Sequence, residues 1–447
     1  MTNIKKAIAK ALNDKHLTRA VLTSTTLSVK KRDHLVAEIP DFEAVREAAR
    51  AVRQASIDDY QAHLERFSDA FTKAGGKIHY AATAIEACDI VLSLLRAQNA
   101  TKGVKSKSMV TEEIGLGKAL EAGGIDAVES DLGEYIVQLA GESPSHITAP
   151  ALHRSRQSIG KLFADRLGVD YSDDPETLTA IARRLMRQRF TEAQFAISGA
   201  NFMVADTGHI AIVENEGNVK MGLSVPPLYI SVAGLDKFVA KPADLNPLMR
   251  LLPTSATGQL ATAYFHLLKP SRIGEDGPKE MHVILLDNGR SSAMDDPEYR
   301  EMMLCIRCGA CMNICPVYRS VGGHAYGTTY PGPMGSILSN LVGAERNTEP
   351  ELPQLSTLCG DCKDICPVKI DIPRMLVKMR HESYKPIWQR AAASTWKVSM
   401  QTSIRYEIGG GSIRTASKLL GGILKESGFR PAERSFRELY RLKKSRE

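Results

Sequence analysis

Along the first 75 residues apolar side chains recur at helical intervals. In "DFEAVREAARAV", Asp41 stands as an N-cap ahead of Phe42, Val45, Ala49 and Val52, which share one face of a 3.6-residue repeat. Tyr60, Leu64 and Phe67 carry the same spacing into a second helix. Both read as packing elements without evident chemistry. From 76 to 290 the pattern changes, and short apolar runs alternate with amphipathic stretches. The candidate strands are "KIHYA" at 77, "SKSMV" at 106, "IDAVES" at 125, "HITAP" at 146, "FMVAD" at 202, "HIAIVE" at 209, "LYISVA" at 228 and "HVILLD" at 282. Between them "AIEACDIVLSLLRA" and "DPETLTAIARRLMRQRF" repeat as helices. Such alternation predicts an α/β domain with a largely parallel sheet. The turns "ADTG" and "ENEGN" predict antiparallel neighbours at one side, and so a mixed sheet.

Residues 291–380 differ in character, with clustered cysteines, a "GGHAYGTTYPGPMG" stretch at 322–335 and only short helical pieces. Residues 381–447 return to helical patterning, interrupted by "GGG" at 409–411. Four segments result: a helical region 1–75, an α/β domain 76–290, a mainly α-helical cysteine-rich domain 291–380 and a basic helical region 381–447.

Composition changes this picture little. Of 447 residues, 43% are hydrophobic and 24% charged, as expected of a globular chain with ample core. No apolar run reaches the ~18 residues of a spanning helix, and the first residues lack an apolar leader, which predicts a cytoplasmic protein. Residues 401–447 hold eleven Lys or Arg against five Glu. That asymmetry reads first as a solvated helix face and second as a contact for an acidic partner or the inner membrane surface. No helix-turn-helix or other nucleic-acid module is evident, which counts against an iron–sulfur regulator.

Seven of the eight cysteines fall between 305 and 366, and in a reducing compartment such a cluster argues for metal and not disulfides. "CIRCGACMNICP" places Cys305, Cys308, Cys311 and Cys315 in a C-x2-C-x2-C-x3-C-P run, the established signature of bacterial two-cluster ferredoxins. "CGDCKDICP" repeats it with Cys359, Cys362 and Cys366. In that signature the fourth cysteine of each run ligates the other cluster. Cys305, Cys308, Cys311 and Cys366 are thus expected to hold a first cluster, and Cys315, Cys359 and Cys362 a second. Ser356 stands where the second cluster's remaining thiolate belongs. Its hydroxyl is a poor ligand for iron, so the second site is expected to hold either a three-iron cluster or a four-iron cluster with an unusual last ligand. Zinc, the alternative, prefers two separated ligand pairs and fits a 4+3 arrangement poorly. Cys88 sits in an apolar helical pattern and reads as a small buried side chain.

Weaker signals complete the survey. Arg307 lies between ligands and reads either as a solvated side chain or as one acting on a cluster. Gly115 and Gly117 begin a dinucleotide fingerprint that Leu120 breaks. Glu112, Glu113, Asp131 and Glu134 lie near predicted strand ends, as caps, solvated groups or ligand contacts. His324 and Tyr326 adjoin the first motif and read mainly as loop packing.

"VKSKSMVTEEIGL", "ESDLGEYIVQLAGESPSHITAPALH", "ISGANFMVADTGHIAIVENEGN" and "HVILLDNGRS", leading into "CIRCGACMNICPVYRSVGGHAYG", resemble the bacterial lactate utilisation protein B family from about residue 35 to 447. The resemblance implies a LUD domain with a mixed sheet of the NagB/RpiA/CoA-transferase type, followed by a double-cluster ferredoxin-like domain. It implies two [4Fe-4S] clusters on the seven cysteines, the second short of a ligand. It also implies a CCG-domain cysteine-rich subunit and a smaller LUD-domain protein as partners in oxidising L-lactate to pyruvate. No flavin fingerprint is present to accept a hydride equivalent, which predicts an electron-relay subunit and not the seat of lactate chemistry. A glycolate-type oxidase subunit is the alternative, because similar cysteine motifs recur there.

Overall fold

The computed structural model describes residues 3–270, 277–343, 350–383, 387–406, 415, 434 and 436–445. Residues 1–382 form one compact unit and 383–447 a second. Among its described residues the first holds ten strands: β1 (Lys77–Ala81), β2 (Lys102–Lys105), β3 (Asp126–Glu129), β4 (Phe195–Ser198), β5 (Phe202–Val204), β6 (His209–Glu214), β7 (Leu228–Gly234), β8 (Phe238–Val239), β9 (Tyr264–Leu268) and β10 (Glu280–Leu286). A six-stranded sheet in the order β1-β10-β7-β4-β2-β3 is parallel throughout.

Alternation along its central strands divides the side chains between two cores. Ile284 and Leu286, Ile230 and Val232, and Phe195 and Ile197 face helices Ala84–Ala97 and Leu116–Ala122. Val283, Leu285, Tyr229, Ala233 and Ala196 face the opposite way, toward helices Phe42–Asp58 and Leu245–Thr257. This second core continues into the cysteine-rich segment, where it includes Leu304, Ile306, Cys308, Cys362, Cys366 and Ile370.

The α/β class is therefore as expected, but the mixing of strand directions is confined to a separate four-stranded sheet, β8-β5-β6-β9. There "ADTG" joins antiparallel β5 and β6 as expected, whereas "ENEGN" leads into helix Asn218–Ser224. "SKSMV" is not a strand: Ser108 accepts from the Thr111 N–H and starts helix Met109–Glu113, and the strand lies just upstream in "KGVK". The expected pattern missed it because Gly103 replaces a β-former, and it does so because a Cβ there would come within 2.5 Å of the Phe195 carbonyl oxygen. "HITAP" is a loop, organised by His146 Nδ1, which accepts from the N–H of Thr148 and of Ala149.

Helices Phe42–Asp58 and Tyr60–Lys73 form where expected, with Phe42, Val45, Ala49 and Phe67 buried. Asp41 makes no side-chain cap; its carboxylate is bound by Arg250 at 2.8 and 2.9 Å. In the second unit helix Phe436–Lys444 buries none of its side chains. The "GGG" at 409–411 lies outside the described residues.

Candidate metal centre

The two cysteine runs fold alike. Arg307 and Leu358, each just before a cysteine, take left-handed φ values of 60° and 57°. Gly309 and Gly360, each just after that cysteine, follow at 79° and 99°. The resulting turns close on themselves: the Arg307 N–H donates to Cys305 Sγ at 3.4 Å, and the Leu358 N–H donates to Ser356 Oγ at 3.1 Å. Ser356 thus occupies in its run the place that Cys305 occupies in the first. Cys315 then starts helix Pro316–Val321, while Cys366 accepts from the Ile370 N–H at 3.4 Å.

Folding brings the thiols into two groups. Burial pushes the Cys308 thiol up, and its sulfur neighbours are Cys305 and Cys366. Burial likewise raises Cys366, to about 11, with Cys305 beside it. Burial and then the charges of Cys315 and Cys359 raise Cys362 to about 12, and Cys315 in turn faces Cys359. Cys311 lies between the groups: its neighbours are Cys305, Cys308, Cys362 and Cys366. Thiols this buried and crowded ionise only against a countercharge, which coordinated iron supplies. Among the described residues no three His, Cys, Asp or Glu side chains are grouped as ligands of a single metal ion. Cys88 stands apart in helix Ala84–Ala97, with its thiol donating to the Ile114 carbonyl at 3.4 Å.

Buried cations surround the first group. Arg53, fully buried, donates to the carbonyls of Met303 (2.8 Å), Phe238 (3.0 Å), Leu304 (3.3 Å) and Asp236. Arg307 is not solvated: its guanidinium lies 5.1 Å from the Tyr330 ring centroid and 3.7 Å from the Asp236 carboxylate. Lys237 reaches Asp236 at 3.3 Å, and Arg290 bridges Asp236 (2.8 Å) and Glu113 (2.7 Å). Three buried cations and the largely buried Arg307 therefore face two buried carboxylates. Burial pushes Lys237 down to about 8 and Arg53 down to about 10, while the Asp236 charge and, less strongly, that of Cys305 oppose both shifts. An iron–sulfur cluster with four thiolates is an anion, so the donor set and the excess positive charge beside it fit that group.

Sequence reasoning missed the contribution of the N-terminal helices. Arg46 binds the Cys366 carbonyl at 2.6 Å, Arg50 binds the Lys369 carbonyl at 2.6 Å, and Arg32 reaches the Ile365 carbonyl at 3.3 Å. The i, i+4, i+7 spacing of Arg46, Arg50 and Arg53 was a visible signal that one helix face carries positive charge inward.

The weaker candidates also find places. His324 binds the Ser143 carbonyl at 2.7 Å, and Tyr326 is buried beside the Cys315 and Cys311 sulfurs. Their loop packs tightly, since a Cβ on Gly323 would come within 1.9 Å of the Ser145 carbonyl oxygen. Glu113 is tied up by Arg290, Tyr330 and Asn288, and Asp131 caps helix Leu132–Ala140. Glu112 binds Lys105, and Glu134 is buried.

Residues 64–286 match the LUD domain family, and residues 301–370 match the 4Fe-4S dicluster domain family. The fold and the cysteine site thus define an iron–sulfur protein in which a LUD domain is joined to a dicluster domain. The chain is 40% identical to Lactate utilization protein B of Bacillus cytotoxicus over 90% of its own length and 86% of that protein's. It is 39% identical to the Bacillus cereus protein of the same name, with the same coverage. It belongs to the lactate utilization protein B family. A solved DUF162 family protein from Deinococcus radiodurans is similar at 13% identity and a TM-score of 0.30, covering 51% of this chain and 98% of its own. No helix among the described residues is long and apolar enough to cross a membrane.

Proposed function

We propose that this chain is the electron-relay subunit of a complex that oxidises L-lactate to pyruvate. Cys305, Cys308, Cys311 and Cys366 hold one cluster; Cys315, Cys359 and Cys362 hold another, with Ser356 at its fourth corner. Such clusters take up and release single electrons. This reading is supported by the interaction of Cys366 with Cys305 and Cys308, although 61 positions separate it from Cys305. Cys359 is exposed, although Cys315 and Cys362 beside it are buried, so the Cys359 corner is the exchange point with a partner. The partners are a CCG-domain cysteine-rich subunit and a smaller LUD-domain protein, and substrate oxidation begins outside this chain. The test is cluster reduction followed by EPR, with L-lactate and glycolate in parallel. Lactate is expected to reduce the clusters in the assembled complex and leave the isolated chain unreduced. Lactate turnover by the isolated chain with an artificial acceptor overturns the relay, and reduction by glycolate alone reassigns the substrate.

A further inference from the structure

A cleft of about 1260 Å³ runs along the edge strand β3, from Gly124 and Asp126 at its start to Glu129 at its end, and is also lined by the loop that carries Gly323, His324 and Thr328. Its Glu129 end is the carboxyl end of the strand, where parallel sheets present their ligand sites. Lys105 and Glu129, the last residues of the two strands, pair in register and meet at 2.5 Å. The Lys105 ammonium also donates to Glu112 at 2.9 Å and Thr111 at 3.1 Å, so its three protons are all placed. Two acceptors are left over. Glu129 Oε2 and Glu134 Oε1 are buried without any hydrogen-bond partner, on residues only 5% and 4% exposed, and both residues line the cleft. A buried carboxylate oxygen without a donor is costly, and two in one cavity call for a ligand.

The charges facing these oxygens are Glu112 and Asp131 on one side and Lys105 and Lys107 on the other. Glu113, Lys118, Glu121, Asp126, Glu142 and His324 also line the cleft, where Glu142 is paired with Arg154 at 2.6 Å and hydrogen-bonded to His153 at 2.7 Å, Asp126 is paired with Arg189 at 2.6 Å and Glu113 with Arg290 at 2.7 Å. Burial, reinforced by Glu129 and Glu112, pushes Glu134 up to about 8, and burial pushes Glu129 up to about 7 against the opposing charge of Lys105. Near neutral pH the free protein therefore keeps a proton at this site that a bound cation displaces.

We propose that this cleft binds a small organic cation: Glu129 and Glu134, whose unpartnered oxygens are closed to solvent in the free protein, turn them into the cleft to accept from its ammonium group, while its carbon chain lies along Ile114, Leu120, Ile125 and Val137. The surplus of carboxylates rejects 2-hydroxy acids and phosphates. A metal ion is far smaller than the cleft, and among the described residues no three acidic, His or Cys side chains are grouped to hold one. The apolar wall residues suit a hydrocarbon body. None of this depends on the electron-relay reading.

Calorimetric titration of the full-length protein, clusters intact, with n-butylamine and 1,5-diaminopentane tests it. Either amine is expected to bind with proton release, seen as a heat that varies with the buffer's ionisation enthalpy, and about fiftyfold more weakly at pH 6 than at pH 8 as protons compete. Glu134→Gln and Glu129→Gln, both isosteric, are each expected to weaken binding by about tenfold or more. The pH dependence is read on the unmutated protein, so a variant that folds poorly does not blunt the test. Absence of binding by both amines, binding that the two substitutions leave unchanged, or Glu134-dependent binding of Mg²⁺ or L-lactate instead overturns the proposal.

Discussion

An arginine between two cysteines can satisfy its charge with water or with a buried anion, and Arg307 does the second. Its left-handed backbone turns the guanidinium inward onto Tyr330 and Asp236, next to Cys305. A unit charge within about 8 Å at an effective dielectric near 20 is worth about 2 kcal/mol, or roughly 85 mV for one electron. Arg307→Gln is therefore expected to lower the reduction potential of the cluster on Cys305 by that order and to leave the other cluster's potential nearly unchanged. A redox titration followed by EPR reads both, and equal potentials in variant and parent would place Arg307 outside the cluster's field. Ser356 offers a second test at this scale. Because its hydroxyl takes the same N–H contact that the Cys305 sulfur takes, Ser356→Cys is expected to set a thiolate at the open corner. A three-iron EPR signal should appear on ferricyanide treatment of the parent and diminish in the variant. If both proteins respond alike, the position does not face the second cluster.

The elements were legible where apolar periodicity acts alone. Helix Pro175–Thr191, with Asp174 as its N-cap, and strands β6, β7 and β10 follow directly from their patterns. Strands β2 and β4 did not stand out, because "KGVK" and "FAIS" are short and owe their pairing to tertiary fit between Gly103 and Phe195. Cysteine spacing made the metal site visible because ligand geometry constrains local sequence, whereas the arginines serving it come from a helix some 250 residues away. Helix Phe42–Asp58 shows what that costs a pattern reading: its apolar face packs on the core, while Arg53 on the same face satisfies four carbonyls. Arg53→Met removes those donors and leaves Asp236 with less countercharge. It is expected to destabilise the protein by about 3–5 kcal/mol, read as a lower midpoint in urea. Arg66→Gln, which disturbs only a half-exposed pair with Asp206, should cost less than about 1 kcal/mol. Similar midpoints for the two variants would show that the Arg53 carbonyls find other donors.

At the scale of the whole molecule the question is whether the cysteine-rich segment is a detachable module. Two-cluster ferredoxin signatures invite that view, and the boundary in residue character near 291 supports it. The packing argues otherwise. One core holds Val283 and Leu285 of the sheet together with Cys308, Cys362, Cys366 and Leu376, and the Asp236–Arg290–Glu113 bridge ties the end of β7 to the same site. Loss of the clusters leaves Arg307 and Lys237 sharing Asp236 with Arg290 as their remaining anionic neighbour and removes the link between the two cysteine runs. Breaking one side of a buried charge arrangement costs about 3–5 kcal/mol, and in a unit of this size that corresponds to a fall of about 5 °C in melting temperature. Because the core is shared, the fall is expected in the sheet as well as around the cysteines. Anaerobic chelation after ferricyanide, followed by thermal melts in far-UV circular dichroism, should show one transition displaced downward for residues 1–382 as a unit. A sheet that melts at its original temperature while only the cysteine region unfolds would identify two independent domains, and would move the arginines of the N-terminal helices from cluster support to ordinary surface capping.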